Sequence, residues 1–275
     1  MRKQIKTWLG RAAHASGLDK AALSDRGTIV LFHRVDDRLK DDPISCGVDA
    51  FRAFCRYFAR HFEVISLDEM LRRTVSGESL DRTLTITFDD GYLDNAITAA
   101  PILKEHGLTA TFYIASDFIG SEHKAWWDQH LPFTPEWMTW DDVRGLRDAG
   151  FSIGGHTASH VDLGEVDVAT AEREITGCKA HLEAELGQPI TQFSFPYGRR
   201  ENIRPETLAL VKAAGFHNCV SAFGGLVRHT DDLFQIPREP ISPWYATPYQ
   251  FGFEMLMRQR RTGEAALGSY GRAAA

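Results

Sequence analysis

Short apolar runs alternate with amphipathic stretches along most of the chain. The runs of strand length lie at 28–32, 63–65, 84–88, 109–115, 151–154, 192–195, 218–221 and 234–236. Apolar residues at helical spacing predict helices around 51–58 and over 95–106, 140–148, 168–186 and 205–214. Such alternation is typical of βαβ units on a parallel sheet, and about seven units favour a barrel of the (β/α) kind over an open sheet.

Side chains that titrate or bind metals follow directly after these apolar runs. They are His33, Asp89, Asp90, His156, His160 and Arg238. The carboxyl ends of parallel barrel strands converge on one face, where active sites are built. We therefore expect these side chains to share one site.

The adjacent carboxylates Asp89 and Asp90 are the sharpest local signal. Two buried, ionised carboxylates repel each other unless a cation lies between them. Neighbouring strand residues point to opposite faces, so both can serve one site only at a bend, which Gly91 permits. The alternative interpretation is an exposed Asp-Asp-Gly turn.

Two histidines, His156 and His160, stand four residues apart and can face one ion from a single helical turn. With Asp90 they form a set of two imidazoles and one carboxylate, which suits a catalytic zinc site with open positions. Asp89 is then free to act as a base. A histidine pair alone is a weak signal, because surface histidines recur by chance.

Three segments resemble the motifs of one known family. They read TFDDGY at 87–92, HTASH at 156–160 and FSFPYG at 193–198. They are similar to motifs of the polysaccharide deacetylases, carbohydrate esterase family 4 with the NodB homology domain. The resemblance covers roughly 27–240 and implies a single distorted (β/α)7-type barrel that removes acetyl groups from N-acetylated sugars.

The resemblance also implies roles for individual residues. Asp89 would be the general base. Asp90, His156 and His160 would bind a divalent metal, with Zn²⁺ expected. The backbone N–H of Tyr197 would help to form the oxyanion site.

The chain departs from the family pattern at two places. Ser194 stands where the third motif usually has arginine, and His229 is a poor match to the late histidine that acts as general acid. The segment at 30–35 is instead similar to one in deacetylases of bacterial exopolysaccharide synthesis, which implies His33 as the acid. The alternative is a structural histidine at a strand end.

The same subgroup often carries an arginine near the end of the domain, and the segment at 236–238 resembles that motif. The resemblance implies that Arg238 holds Asp89 ionised. A plain surface salt bridge is the alternative for Arg238.

Charge and composition exclude several function classes. The formal net charge of −6 has the wrong sign for a general nucleic-acid binder. Four scattered cysteines suit reduced structural thiols rather than a disulfide framework. There is also no run of 18 apolar residues, the length needed to span a membrane.

The first 13 residues predict a short basic amphipathic helix, with Ile5, Trp8 and Leu9 at helical spacing. One interpretation is peripheral contact with an anionic membrane surface. The other is a solvated helix that packs Trp8 on the domain. We expect a cytoplasmic protein divided into this segment (1–26), the barrel (27–257) and a flexible tail (258–275).

Aromatic residues are dense in the predicted loops, and some could stack on sugar rings. They are Trp126, Trp127, Trp137, Trp140, Trp244 and Tyr245. For each one alone, packing is the simpler interpretation.

The sequence therefore predicts a metal-dependent N-deacetylase acting on an N-acetylated glycan, in exopolysaccharide synthesis. Hydrolysis of another C–N bond, hydrolysis of an O-acetyl ester and an inactive glycan-binding relative are the alternatives.

Overall fold

The computed structural model describes residues 2–18, 24–39, 41–241, 245 and 247–259. The strands are β1 (Thr28–Phe32), β2 (Arg34–Val35), β3 (Ser45–Cys46), β4 (Glu63–Val64), β5 (Thr83–Phe88), β6 (Thr111–Ile114), β7 (Ser152–Gly155), β8 (Gln192–Ser194), β9 (Asn218–Val220) and β10 (Glu239–Pro240). The helices are α1 (Arg2–Ala15), α2 (Val48–His61), α3 (Leu67–Ser76), α4 (Ala100–Glu105), α5 (Trp140–Asp148), α6 (Val168–Leu186), α7 (Pro205–Ala213) and α8 (Pro248–Gln259).

One curled parallel sheet carries the fold. Its strands follow the order β10-β1-β5-β6-β7-β8-β9, and β4 adds to β5. Seven strands on this path, with helices between them, confirm the predicted distorted (β/α) class. The two-residue strands β2 and β3 form a separate small parallel ladder.

The segment 236–240 joins the two ends of the sheet. Ile236 makes a parallel bridge to Val220 in β9, and Glu239 pairs with Val30 in β1. The expected strand at 234–236 is wrong, because only Ile236 pairs and the strand begins at Glu239. The intervening Pro237 has no N–H to donate to a ladder.

A row of stacked phenylalanines crosses the middle of the sheet just before the strands end. Phe32, Phe88 and Phe112 are register partners in β1, β5 and β6. Their ring centroids lie 5.4 and 4.9 Å apart along the row. Because side chains alternate between the faces of a strand, Thr87 and Asp89 point to the opposite face, into the barrel.

Helix ends follow local sequence signals. Asp167 caps α6 by accepting a hydrogen bond from the Thr170 N–H at 2.8 Å, and Gly187 ends the helix at a φ of 63°. The predicted helix over 95–106 is a π-helical turn over Asn95–Ala99 followed by α4.

The C-terminal segment differs in part from the expected tail. Residues 258 and 259 belong to α8, so helix extends past the expected start at 258. The remainder of that segment, 260–275, lies outside the described residues, as does Trp244.

Helix α1 packs against α8, with Gly10 at the crossing. A Cβ on Gly10 would lie only 1.9 Å from the Tyr249 carbonyl oxygen. Trp8 is 68% exposed, so the interpretation in which it packs on the domain is wrong. Within the described ranges, no helix has the length and hydropathy needed to cross a bilayer.

We expect Gly154→Ala to destabilise the barrel by roughly 1–3 kcal/mol, because the added methyl would overlap neighbouring atoms. A Cβ there would lie 2.5 Å from the buried ring of Tyr113 and 3.0 Å from the Gln192 carbonyl oxygen. Gly145→Ala in α5 is the matched control, since its Cβ meets nothing within 4 Å. That change should stabilise by about 0.5–1 kcal/mol. Urea unfolding measures both; equal effects would contradict the packing argument.

Candidate active site

Three loops at the carboxyl ends of β5, β7 and β8 hold strained backbone. Among the described residues, six non-glycine residues have positive φ, and four lie in these loops: Asp90, Thr157, His160 and Tyr197. Left-handed conformations cost a non-glycine residue roughly 1–3 kcal/mol, and they cluster at functional sites. This concentration marks the three loops as the candidate active site.

Asp89 and Arg238 form a fully buried ion pair at its base. Arg238 Nη1 and Nη2 donate to the two Asp89 carboxylate oxygens, each at 2.7 Å. The other donors of the guanidinium reach Thr87 Oγ1 (3.1 Å), Ser194 Oγ (2.8 Å) and the Ser221 carbonyl oxygen (2.7 Å). All five N–H groups of Arg238 are therefore satisfied, which fixes the orientation of Asp89.

The charge environment keeps Asp89 ionised. Burial has the largest effect on the pKa of Asp89 and raises it, but Arg238 and His156 together hold that pKa below its usual value. The alternative interpretation of Arg238 as part of a plain surface salt bridge is therefore wrong, since neither side chain is exposed.

Ser194 connects this pair to the next group. Its hydroxyl donates to Asp89 Oδ2 at 3.1 Å and accepts from Arg238. Its carbonyl oxygen accepts a hydrogen bond from His156 Nδ1 at 2.8 Å. The third motif usually has an arginine where this chain has Ser194. The guanidinium of Arg238, which donates to the Ser194 hydroxyl, supplies that positive charge instead.

Asp90, His156 and His160 converge on a common point. One ligand atom from each lies within 4.8 Å of the other two. Asp90 Oδ1 is 3.4 Å from His156 Nε2 and 3.3 Å from His160 Nε2. Burial raises the pKa of Asp90, but the two histidines outweigh it and hold that pKa well below its usual value.

These three residues fit a divalent cation. Asp90 Oδ1 is buried and accepts no hydrogen bond within the described residues. A bound cation would compensate the charge on this buried oxygen. His156 donates through Nδ1, which leaves the Nε2 lone pair for a metal, as ligating histidines do. Two imidazoles and one carboxylate leave open positions for water and substrate.

The loop geometry corrects one local expectation and bears out another. His156 and His160 do not lie on a helical turn. Thr157 and His160 adopt left-handed conformations, and the imidazole rings of His156 and His160 lie 4.9 Å apart between centroids. Glu174 of α6 holds this loop by accepting from Ser159 N and Oγ. The bend after β5 takes in both Asp90, with a φ of 78°, and Gly91, with a φ of 98°, so Gly91 contributes to the bend as expected.

His33 follows β1 and faces the same charged cluster. Burial is the largest influence and lowers the pKa of His33, while Asp90 and Asp89 act in the opposite direction. A lowered pKa does not favour a histidine that carries a proton before the reaction begins.

Tyr197 follows β8 and is left-handed, with a φ of 60°. Across the described part of the chain, its backbone N–H has no hydrogen-bond acceptor. Its hydroxyl accepts from Trp126 Nε1 at 2.9 Å. The ring of Tyr197 lies 5.1 Å from the ring of His160, so this loop packs against a candidate metal ligand.

The sequence did not reveal a second buried charge cluster beside the site. Arg34 donates to Asp42 and Asp128, each at 2.6 Å, and lies over the ring of Tyr92. The Tyr92 hydroxyl donates to Asp128 at 2.8 Å and accepts from Trp127 Nε1 at 2.8 Å. Trp127 in turn packs on His160, with ring centroids 4.5 Å apart.

The aromatic residues expected in loops divide by burial. Trp137 and Tyr245 are buried, and Trp140 packs on His181. Trp126 is 62% exposed and lies next to Tyr197. Of the described aromatics in that set, Trp126 is therefore the one with a largely open ring at the site.

A family model named polysaccharide deacetylase matches residues 76–219, which include all three loops. The chain belongs to the polysaccharide deacetylase family.

Individual relatives are distant. A Bacillus subtilis protein named as a polysaccharide deacetylase, YxkH, is 28% identical over 163 residues, covering 59% of this chain and 53% of its own length. A chitin deacetylase of Pestalotiopsis is 27% identical over 140 residues, covering 50% and 41%. The chain thus spans about half the length, or less, of these curated relatives.

The fold has solved counterparts. The structure of the Streptococcus pyogenes deacetylase PplD in complex with acetate superposes with a TM-score of 0.70 at 20% identity, covering 84% of this chain and 98% of that one. This similarity shows a shared barrel fold.

We expect one Zn²⁺ to bind at Asp90, His156 and His160, and to raise the Tm. At a hundredfold excess over Kd the stabilisation is about 2.7 kcal/mol. Asp90→Asn should abolish both the calorimetric binding signal and the Tm shift. His217→Gln, an exposed histidine, is the control and should leave both unchanged. Retention of full affinity by Asp90→Asn would rule out this ligand set.

Asp128→Asn should destabilise the protein by roughly 3 kcal/mol, because it removes one of the two carboxylates that compensate the buried Arg34. Asp141→Asn removes a carboxylate that is 91% exposed and also pairs with an arginine, so it should cost less than about 1 kcal/mol. Urea denaturation provides both values. A similar loss in the two variants would show that burial of the cluster does not matter.

Proposed function

We propose that this chain is a metal-dependent hydrolase that removes N-acetyl groups from amino sugars in a glycan. The observation that carries the proposal is the pairing of Asp89 with Arg238 directly beside the group of Asp90, His156 and His160. A fixed, ionised carboxylate next to a cation site is the arrangement that hydrolysis of an acetyl group requires.

A divalent cation at this site would polarise the acetyl carbonyl and increase the acidity of a water molecule. Asp89 would accept the proton of the attacking water. Its carboxylate is suited to this, because Arg238 holds both oxygens in place and keeps them ionised. Asp89 Oδ2 lies 3.8 Å from His156 Nε2, so the base and the cation site are neighbours.

The negative charge that develops on the carbonyl oxygen needs donors positioned in advance. The Tyr197 N–H is suited to donate to that oxygen, because it has no acceptor within the described residues and its residue packs against His160. Release of the sugar nitrogen as an amine needs a proton. The candidate donors are His33, which follows the strand next to β5 and would first have to take up a proton, and Asp89, after it has taken the proton of the water.

A glycan substrate is supported by the surface beside the site. The exposed ring of Trp126 offers an apolar face next to Tyr197 on which a sugar ring could stack. One curated relative is named a chitin deacetylase, and chitin is a polymer of N-acetylated sugar. The similarity of 30–35 and 236–238 to exopolysaccharide deacetylases supports a substrate of that kind. A cytoplasmic location stays a prediction.

Two other functions share the barrel. Hydrolysis of an O-acetyl ester, or of another C–N bond, would use the same base and cation. An inactive glycan-binding relative is the weaker alternative. Burying the Asp89–Arg238 pair costs desolvation free energy, and glycan binding alone does not need an ionised carboxylate held in this way.

The test is acetate release from an N-acetylglucosamine oligomer by the Zn²⁺-loaded protein. Asp89→Asn should lower the rate at least about 100-fold, the contribution of a positioned base, while calorimetry shows that Zn²⁺ still binds. Absence of acetate from N-acetylated glycans with the intact, metal-loaded protein would refute the proposal.

The same assay separates the proton donors. His33→Gln should slow amide cleavage far more than cleavage of a matched O-acetyl sugar, because an amine leaving group depends more on protonation. Equal slowing of both substrates would instead leave Asp89 as the donor.

A further inference from the structure

We infer that the outer face of α1, formed by Ile5, Trp8, Ala12 and Ala15, is a docking surface for an anionic lipid bilayer. These four residues follow the spacing i, i+3, i+7, i+10, so they form one stripe along the helix. All four are exposed, Ile5 to 50% and Trp8 to 68%. The inference is independent of the proposed deacetylation.

Contacts on the opposite side fix the orientation of α1. Gly10 lets the helix approach the backbone of Tyr249 so closely that no side chain fits between them. Thr7 Oγ1 and Thr247 Oγ1 lie 3.0 Å apart, and Lys6 pairs with Glu254. The helix therefore cannot rotate to bury Trp8 without losing its contacts with α8.

This arrangement reverses the usual amphipathic pattern. A surface helix of a globular protein turns its apolar stripe toward the core. Here small and polar residues face the core, and the tryptophan faces outward. Tryptophan on the exposed side of a basic helix is typical of helices that lie in a lipid interface.

The charges around the stripe select the partner. Helix α1 contains no acidic residue, whereas the whole chain has a net charge of −6. Arg11 is exposed at the edge of the stripe, and its guanidinium lies over the ring of Tyr249, 5.4 Å from the ring centroid. A phospholipid surface with negative headgroups complements this pattern.

A second copy of the chain fits this face less well. In a symmetric dimer the same face meets itself, so the positive charges of the two helices would lie opposite one another. An anionic bilayer offers apolar depth for Trp8 and negative charge for the flanking basic residues.

The test is co-sedimentation of the full chain with vesicles of phosphatidylglycerol and phosphatidylcholine, compared with phosphatidylcholine alone. Binding should require the anionic lipid and weaken in high salt, because exposed charges are screened. Trp8→Ala should weaken binding at least about tenfold, by loss of apolar burial. Val75→Ala on α3, where the side chain is 71% exposed, is the matched control and should bind like the parent chain.

A charge pair of variants completes the test. Arg11→Gln should weaken binding about fivefold, the value expected for one basic residue near an anionic surface. Lys104→Gln, an exposed lysine on α4, should leave binding unchanged. The Tm of the Trp8→Ala, Val75→Ala and Lys104→Gln variants should equal that of the parent, since these side chains are exposed.

Three results would overturn the inference. They are a failure of the parent chain to bind the anionic vesicles, equal weakening by Val75→Ala and Trp8→Ala, and a dimer in ultracentrifugation that Trp8→Ala dissociates. The last would assign the face to a second copy.

Discussion

The buried pair of Asp89 and Arg238 is the interaction on which the site depends. An arginine enclosed in a barrel is tolerable only when its charge is compensated and every donor is used, and Arg238 meets both conditions. The pair also connects distant parts of the chain. Asp89 directly follows β5, while Arg238 lies on the segment that bridges β9 and β1. The segment that joins the two ends of the sheet therefore also carries the arginine that positions the base.

Around this pair, three loops adopt conformations that an unconstrained chain avoids. Their left-handed residues need support from rigid neighbours. Hydrogen bonds from Ser159 to Glu174 provide it on one side, and the cluster of Arg34, Asp128 and Tyr92 provides it on the other. That cluster reaches His160 through Trp127, so a metal-capable histidine packs against a rigid network instead of an open loop.

Much of the site could be anticipated because the relevant signals are local. Apolar runs ended at His33, Asp89 and His156, and the carboxyl ends of parallel strands must converge. The helix over Val168–Leu186 was also predictable, since its cap residues lie within a few positions of its ends. The strand at 239–240 was not, because pairing two residues with β1 leaves no periodic pattern. Nor was the contact of Arg34 with Asp128, which are 94 positions apart in sequence.

The sequence by itself determined the class of fold, the set of chemically competent residues and their order along the chain, because hydrophobic periodicity and motif spacing are properties of neighbouring residues. Only the tertiary structure decided that Arg238 is fully buried against Asp89, that the two histidines meet through a strained loop, and that Trp8 faces outward. Each of these depends on which distant surfaces come into contact. A periodic pattern can identify the apolar side of a helix, but the neighbour against which that helix packs decides whether the apolar side is buried.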